Sequence, residues 1–562
     1  MIYSSVKEDD PLKVGRFGLG FKSVFHITDY PCVISGDRIL MIDPQQPSGQ
    51  VNAMVKLSRI GNLELEKHGL NAEAFWEAFD GLFGIEQGIV ANGYYDGTLF
   101  WFPLRQHCSE VSETLYDEEK VMDLFEGLQL EASSILLFLR NLESINIYTR
   151  RNGNPISKIV KIELQDTNGR VRKYRFDFAE KVKKINSAYQ EKDIWNDVQI
   201  SINILKKGKS NISKWMVVNY YVGSSSNLNF QKLIHDENFC YSPYVGVAAP
   251  LESKKRTFEG HVFAFLPLPR EGSRLTGLPV HVNGFFALSQ NRHHLKLETE
   301  EQRDKRIDDK SILWNKYLIC EAIPLAYQIL VNSLIQRSID CGNVSDSIDH
   351  VYACLPDSSK THQTWATLEH TLFIKLATQP FLYSTNVNSW IRQNDACFAT
   401  LSNLPIEHKH VKDAIKHCLT SVGKKYVDIP KGLFETIRRY FPQLQDLTPK
   451  VFTTYIQKNK SYRNKACQDK LDILEYILSE SEYGLVHGLE LLPLSSGEWT
   501  NFNKREATVY ICPEDILRIL PGLQHILLKN KSSLRSTLAR QIESLCCSGK
   551  FYLFTLHKYK YT

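Results

Sequence analysis

Residues Val14 to Phe25 read VGRFGLGFKSVF, with Gly15, Gly18 and Gly20 running directly into the apolar positions Phe21, Val24 and Phe25. No other stretch limits the fold so tightly. Glycines without a Cβ let the backbone take positive φ and approach a ligand closely. The spacing of Phe21, Val24 and Phe25 predicts a helix that starts at the loop and buries one face. A glycine turn feeding a helix offers unpaired N–H groups and the positive end of the dipole, a setting for phosphate. The same pattern also makes a plain tight turn, so the flanks decide. A dinucleotide-binding fold needs a hydrophobic strand before the first glycine and an acidic residue about 20 positions later. Here the preceding VKEDDPLK is polar and broken by Pro11. A P-loop needs glycine before its Lys-Ser/Thr, whereas Lys22-Ser23 follows Phe21. Both readings are excluded.

The chain has 562 residues, room for two to four domains. Its 43% hydrophobic and 11% aromatic content indicates folded rather than disordered protein. The net charge of +5 is a small difference between 68 basic and 63 acidic residues, which argues against a dedicated nucleic-acid binder. The short basic runs Lys206-Lys207-Gly208-Lys209 and Lys254-Lys255-Arg256 read as solvated loops. The 12 cysteines form no CxxC pair, Cys546-Cys547 being the only close set, and the 17 histidines are dispersed, so no metal site is expected. Scattered cysteines read as buried thiols of a reducing compartment. No secretory leader is visible in MIYSSVKEDD, and the longest apolar run, Ala322 to Leu334, is interrupted by Gln328 and Asn332. A soluble cytoplasmic protein without a membrane span is expected.

Pattern divides the chain into three regions of an α+β protein. Residues 1–145 alternate strands and helices. Cys32 to Ile42 around Ser35-Gly36-Asp37 predicts a hairpin, Phe75, Trp76, Phe79 and Phe83 a core-facing helix over 70–83, and Thr98 to Phe102 a strand ended by Pro103. Val111 to Leu128 predicts a helix and Ile135 to Leu139 a buried strand. In residues 146–300 strands dominate, including 158–164, 173–178, 215–222, 245–250, 261–266 and 278–282. Alternation in Val160 to Leu164 and Tyr174 to Phe178 predicts one buried and one wet sheet face. Gly223 to Asn227 reads as an exposed loop. Residues 301–562 turn helical. Glu298 to Arg306 is charged, Leu313 to Ile335 is a strong amphipathic block expected to bend at Pro324, and shorter helices cover 434–440 and 470–479.

The run Phe17 to Pro31, FGLGFKSVFHITDYP, resembles the second glycine box of the GHKL (Bergerat-fold) ATPases, especially the ninety-kilodalton heat-shock chaperone. It resembles the corresponding segment of sacsin-like proteins more closely still. Ile34-Ser35-Gly36, Met41 to Pro44, the Gly-Thr strand Asp96 to Arg105, HVFAFLPLP from His261 and GLPVHVNGFFALSQNRHHL from Gly277 follow in the family's order, as does LELLPLSSGEWTNF from Leu489. The resemblance implies a partial Bergerat-type α/β sandwich over 1–145, a mixed-sheet middle domain over 146–300 and a mainly α-helical tail over 301–562.

The same resemblance implies a nucleotide site. Amides around Gly15, Phe17, Gly18, Leu19, Gly20 and Phe21 would cradle the phosphates of ATP with Mg²⁺, Thr98 would sit beside a carboxylate and water at the adenine edge, and Tyr3 to Lys7 would end the mobile lid. The tight Asn291-Arg292 turn would aim Arg292 at a γ-phosphate; a surface or structural arginine is the plainer alternative. The family's general-base glutamate, metal-binding asparagine and Asp-x-Gly-x-Gly segment have no counterparts here, and no glycine pair follows Asp9 and Asp10. A degenerate ATP site without catalytic residues is therefore expected, since nothing would orient water or hold the metal. A fragment of a longer product and a shortened paralogue both explain the missing helix. Three functions stay open: a sacsin-like chaperone or co-chaperone module acting on client proteins and co-chaperones, a fragment of an active ATP-hydrolysing chaperone, and a nucleotide-independent scaffold.

Overall fold

A computed structural model describes residues 11–13, 20–44, 52–57, 83, 93–151, 155–187, 191–236, 239, 241–252, 258–269, 276–298, 309–340, 344–398, 409–460, 462–480, 482–502, 510–511, 522, 524, 528, 534–547 and 554–555. Ser35-Gly36-Asp37 closes the expected hairpin between β1 (Cys32–Gly36) and β2 (Arg38–Ile42), with Ser35 opposite Arg38. Gly36 takes φ +59°, which only glycine adopts cheaply. With β3 (Asn52–Lys56) and β4 (Tyr95–Trp101) these form an antiparallel sheet ordered β3-β2-β1-β4. Alternation puts Cys32, Ile34, Ile39 and Met41 on its buried face. Of the helix expected over 70–83, all but Phe83 lies outside the described residues.

Two expectations in the next stretch fail. Helix α1 runs Glu118–Leu130, starting seven residues later than the pattern suggested, because Asp117 caps it by accepting from the Lys120 N–H at 2.9 Å. Ile135 to Phe138 is buried as expected, but as a series of turns and bends rather than a strand. A short apolar run marks burial without fixing conformation.

The centre is an eight-stranded sheet of β5 (Ser144–Thr149), β6 (Ser157–Leu164), β7 (Ile194–Lys206), β8 (Lys209–Tyr221), β9 (Tyr244–Pro250), β10 (Val262–Ala264), β11 (Leu266–Pro267) and β12 (His281–Gly284). Its order is β11-β10-β12-β9-β8-β7-β6-β5, antiparallel except for the parallel pair β10 and β12, so the sheet is mixed. The expected strand at 278–282 is displaced to 281–284. The expected strand at 173–178 is instead the middle of helix α2 (Arg170–Ser187). Val171, Phe178, Ala179 and Val182 are its buried positions, while Phe176 is 65% exposed. The period is thus 3.6, and the polar alternation of Tyr174 to Phe178 was local coincidence. Asn227 ends the 223–227 loop by capping α3 (Leu228–Ile234).

Beyond residue 309 the chain is helix-rich, and the whole is α+β. Helix α4 (Lys310–Tyr317), a π-helical turn (Leu318–Ala322) and α5 (Ile323–Asp340) form one continuous rod. The expected disturbance at Pro324 takes the form of that π turn, which lets the ladder slip where proline has no N–H to donate. The rod, Lys310–Asp340, is long enough to span a bilayer and reaches a mean hydropathy of 1.6, a combination that interruption by Gln328 and Asn332 had seemed to exclude. Its Trp314, Leu318, Tyr327, Leu330 and Val331 are instead buried in a core shared with Val218, Val245 and Val247 of the sheet.

Helices α6 (Val344–Ala353), α7 (Ala366–Leu376), α8 (Lys409–Ser421), α9 (Lys431–Tyr440), α10 (Pro449–Asn459), α11 (Cys467–Ile477) and α12 (Ser536–Cys547) follow among the described residues, with short strands between them. The first core continues to Ile437, and a second gathers Cys397 through Leu545. The LELLPLSSGEWTNF segment forms a two-stranded antiparallel hairpin, Leu492–Pro493 with Trp499–Thr500.

Candidate functional site

Of the predicted cradle, Gly15, Phe17, Gly18 and Leu19 lie outside the described residues, as do Tyr3 to Lys7, Asp9 and Asp10. Gly20 is described. It sits at φ −59°, ψ −45°, an ordinary right-handed conformation, and a Cβ built on it would meet nothing within 4 Å. Neither backbone strain nor packing calls for glycine there.

The helix expected after it is a six-residue 3₁₀ helix, Phe21–His26, with no buried residue. At three residues per turn Phe21 and Val24 eclipse and Phe25 rotates away, so the expected buried face does not form. Ser23 closes the turn, its N–H and Oγ both donating to the Gly20 carbonyl at 3.3 and 2.7 Å.

The Phe21 ring rests against Phe100 of β4, centroids 6.2 Å apart. Thr98, two residues earlier on β4, shares that face. Its Oγ1 lies 3.0 Å from the Ser35 Oγ, which also donates to the Gly97 carbonyl at 3.0 Å. The structure therefore brings Gly20, Phe21 and Thr98 to one side of an edge strand and adds Ser35, which sequence reasoning did not single out. Arg292 stands apart. It is exposed at φ +57° in a turn bracketed by the Leu288–Leu295 bridge, its N–H donating to the Ser289 carbonyl at 2.8 Å. Among the described residues no hydrogen bond or ion pair joins Arg292 to Gly20 or β4.

What holds this region is Arg105, also missed. Pro103 ends β4, and the chain turns so that Arg105 is 5% exposed. Its Nε donates to Asp29 Oδ1 at 2.8 Å, Nη1 to the His26 and Thr114 carbonyls at 3.1 and 2.8 Å, and Nη2 to the Phe25 carbonyl at 2.6 Å. Its own N–H reaches the Ile27 carbonyl at 3.0 Å. One guanidinium thus gathers the carbonyls at the end of the 3₁₀ helix, a use for which its five-donor fork is suited. The signal was a lone arginine closing the apolar string TLFWFPLR.

Beneath the sheet, burial pushes the Cys32 thiol up to about 12, so it is inert as a nucleophile. A small, mostly apolar cavity between α2 and β7–β9, walled by Leu137, Phe138, Phe178 and Phe265, also exposes Arg140, Arg175, Asn219 and Tyr244. Burial lowers Arg175 to about 10 and raises Tyr244 above its ordinary value, the Tyr244 hydroxyl donating to Asn219 Oδ1 at 2.7 Å. At about 40 Å³ it is far too small for a nucleotide. Among the described residues no group of three His, Cys, Asp or Glu is placed to hold a metal.

These features define an α+β protein in which Gly20 and a short 3₁₀ helix lie against the edge of a small antiparallel sheet, ahead of a large mixed sheet and a helix-rich region. Residues 2–161 match the Sacsin domain. Human sacsin is 30% identical over 550 residues, covering 93% of this chain and 12% of sacsin itself. The chain is a sacsin-like protein, and it spans about an eighth of the length of that relative.

Proposed function

We propose that the chain is a chaperone or co-chaperone module that assists the folding of client proteins and carries a degenerate ATP site of GHKL type. The observation that carries this reading is the likeness to human sacsin along 93% of the chain, together with a Sacsin-domain match over 2–161 that spans the glycine box. Two observations support a nucleotide there. Open space surrounds Gly20, and the Ser35 and Thr98 hydroxyls are exposed on the same side of β4. Gly20 and Phe21 would offer main-chain amides to phosphate, and Thr98 with Ser35 would offer hydroxyls to the base. ATP, when bound, would supply hydrolytic free energy only where a general base and metal ligand are also present, and among the described residues no group of three His, Cys, Asp or Glu is placed to hold a metal. We read its role as binding rather than hydrolysis, in a cytoplasmic setting.

Calorimetric titration of the 562-residue chain with ATP and ADP, each with Mg²⁺, tests the site. Weak binding that Gly20→Val abolishes without lowering stability is the expected result. Micromolar affinity together with turnover would overturn the degenerate reading. For the chaperone half, the chain should suppress aggregation of heat-unfolded malate dehydrogenase at near-stoichiometric ratio; aggregation unchanged by the chain would refute it.

A further inference from the structure

Strands β7 and β8 pair over their whole length, from Ile194 opposite Tyr221 to Lys206 opposite Lys209. On one side β6 covers β7 out to Lys206. On the other, β9 covers β8 only from Trp215 to Tyr221. Residues Lys209 to Ser213 therefore overhang, with no strand paired to that side of them among the described residues. The two-residue turn Lys207-Gly208, at φ +49° and +74°, makes Lys206 and Lys209 the closing pair. Alternation then directs the main-chain groups of Ser210, Ile212 and Lys214 away from β7. The Lys214 carbonyl confirms this phase, for it accepts the Leu251 N–H at 2.8 Å. Among the described residues no strand takes the edge groups of Ser210 and Ile212.

The fingertip is also positively charged in a way the fold does not need. Lys206, Lys207 and Lys209 are exposed, with no carboxylate at ion-pair distance among the described residues, whereas nearby Lys214 meets Glu252 at 3.0 Å. Like charges directly opposite one another weaken a hairpin. Lys207 occupies a left-handed turn position that favours asparagine, aspartate or glycine. Two local penalties thus keep three unpaired cations at the end of an open edge.

We propose that this edge is a docking strip where an extended peptide with acidic residues adds as a further strand. The amides and carbonyls of Ser210 and Ile212 recur about 6.8 Å apart, a repeat that another polypeptide backbone matches. The lysines select an acidic guest and repel the same edge of a second copy, which protects the strip from self-pairing. The inference stands independently of the nucleotide site.

Fluorescence anisotropy of the full chain with a labelled alternating Glu-Val octapeptide tests it. Three changes should each weaken binding about tenfold: methylating alternate peptide amides, combining Lys206→Ser, Lys207→Asn and Lys209→Ser, and Ile212→Pro. Ile212→Pro removes only an outward N–H, as edge strands tolerate, and Lys207→Asn improves the turn, so both variants should fold. Circular dichroism checks this. Equal binding of a Lys-Val octapeptide, indifference to amide methylation, or unaltered binding by the triple variant would overturn the proposal. Tighter lysine-dependent binding of phosphatidylserine vesicles or single-stranded DNA would overturn it too.

Discussion

Replacing Arg105 with leucine removes the fork that holds the segment behind the glycine box. The Asp29 side chain, 12% exposed, loses its cation at 2.6 Å, and the Phe25, His26 and Thr114 carbonyls lose their donors. Breaking a buried ion pair by removing one partner costs about 3–5 kcal/mol. The Phe25 and His26 carbonyls end a helix with no buried residue and can turn to water, so the lower figure of about 3 kcal/mol applies. That equals roughly a hundredfold in a local opening constant. The loss should be local, because every acceptor lies in residues 25–29 or at Thr114. Hydrogen exchange is the assay. The Thr28 and Arg105 amides, bonded to the Val24 and Ile27 carbonyls, should exchange about a hundredfold faster, while Val217 and Val247 in the central sheet stay unchanged. Arg105→Lys should recover little, since one ammonium cannot serve acceptors spread around a planar fork. Adding Asp29→Asn to Arg105→Leu should restore part of the loss by removing the orphaned charge. Thr28 exchange within threefold of wild type in Arg105→Leu, or a loss spread equally to β8 and β9, would refute the reasoning.

Arg535→Met should destabilise the second core by about 3–5 kcal/mol in urea titration, because Asp472 and Glu475, 1% and 4% exposed, both pair with that guanidinium where α12 meets α11. Gly260→Ala should cost about 3 kcal/mol in the same measurement, since its Cβ would stand 1.7 Å from the Val280 carbonyl oxygen and backbone must part to admit it. Iodoacetamide at pH 8 followed by peptide mapping should label Cys108 and Cys467, which are exposed, and spare Cys32 and Cys354, raised by burial to about 12, and Cys397, raised to about 11. Burial, opposed by Lys412, raises the Asp428 carboxyl above 3.8, so its stabilising contribution is present below the unfolded value and lost as pH rises through the folded one. Asp428→Asn should therefore gain stability at pH 7 relative to wild type, the difference closing near pH 3.5, as read from urea midpoints.

Strands that alternate over a long span and carry a turn signal were legible in the sequence. β2 and β9 fall within a residue of their expected limits, and β1 runs two residues further, into the turn. Two of the failures share one cause, a window too short to fix the period. Over Tyr174 to Phe178 a two-residue repeat fits, yet from Val171 to Val182 the buried positions follow the helical repeat and separate Phe176 from Phe178. Ile135 to Phe138 is apolar and buried but too short to state a conformation. At the candidate site, the strand carrying Thr98 was legible because its apolar run ends at Pro103, while Thr98 itself was singled out by the family resemblance alone. Arg105 was not, since three of its guanidinium acceptors are main-chain carbonyls, which leave no mark in the sequence, and its one carboxylate, Asp29, lies 76 residues earlier.

The glycines show why sequence pattern and structure answer different questions. Gly36 is needed for its positive φ, and Gly260 because another backbone occupies the space of its Cβ. Either residue would be glycine in a protein that binds nothing. Gly20 has neither reason: its backbone is right-handed, a Cβ there would meet nothing within 4 Å, and alanine would raise stability slightly by restricting the unfolded chain. A residue that folding would rather replace calls for a cause outside folding, and close approach of a ligand backbone or phosphate is the cause we propose. The same logic singles out Lys207, a side chain placed where the turn favours asparagine or glycine. At both positions the informative observation is a local rule broken with no packing gain to offset it, and both face solvent at the margin of a sheet.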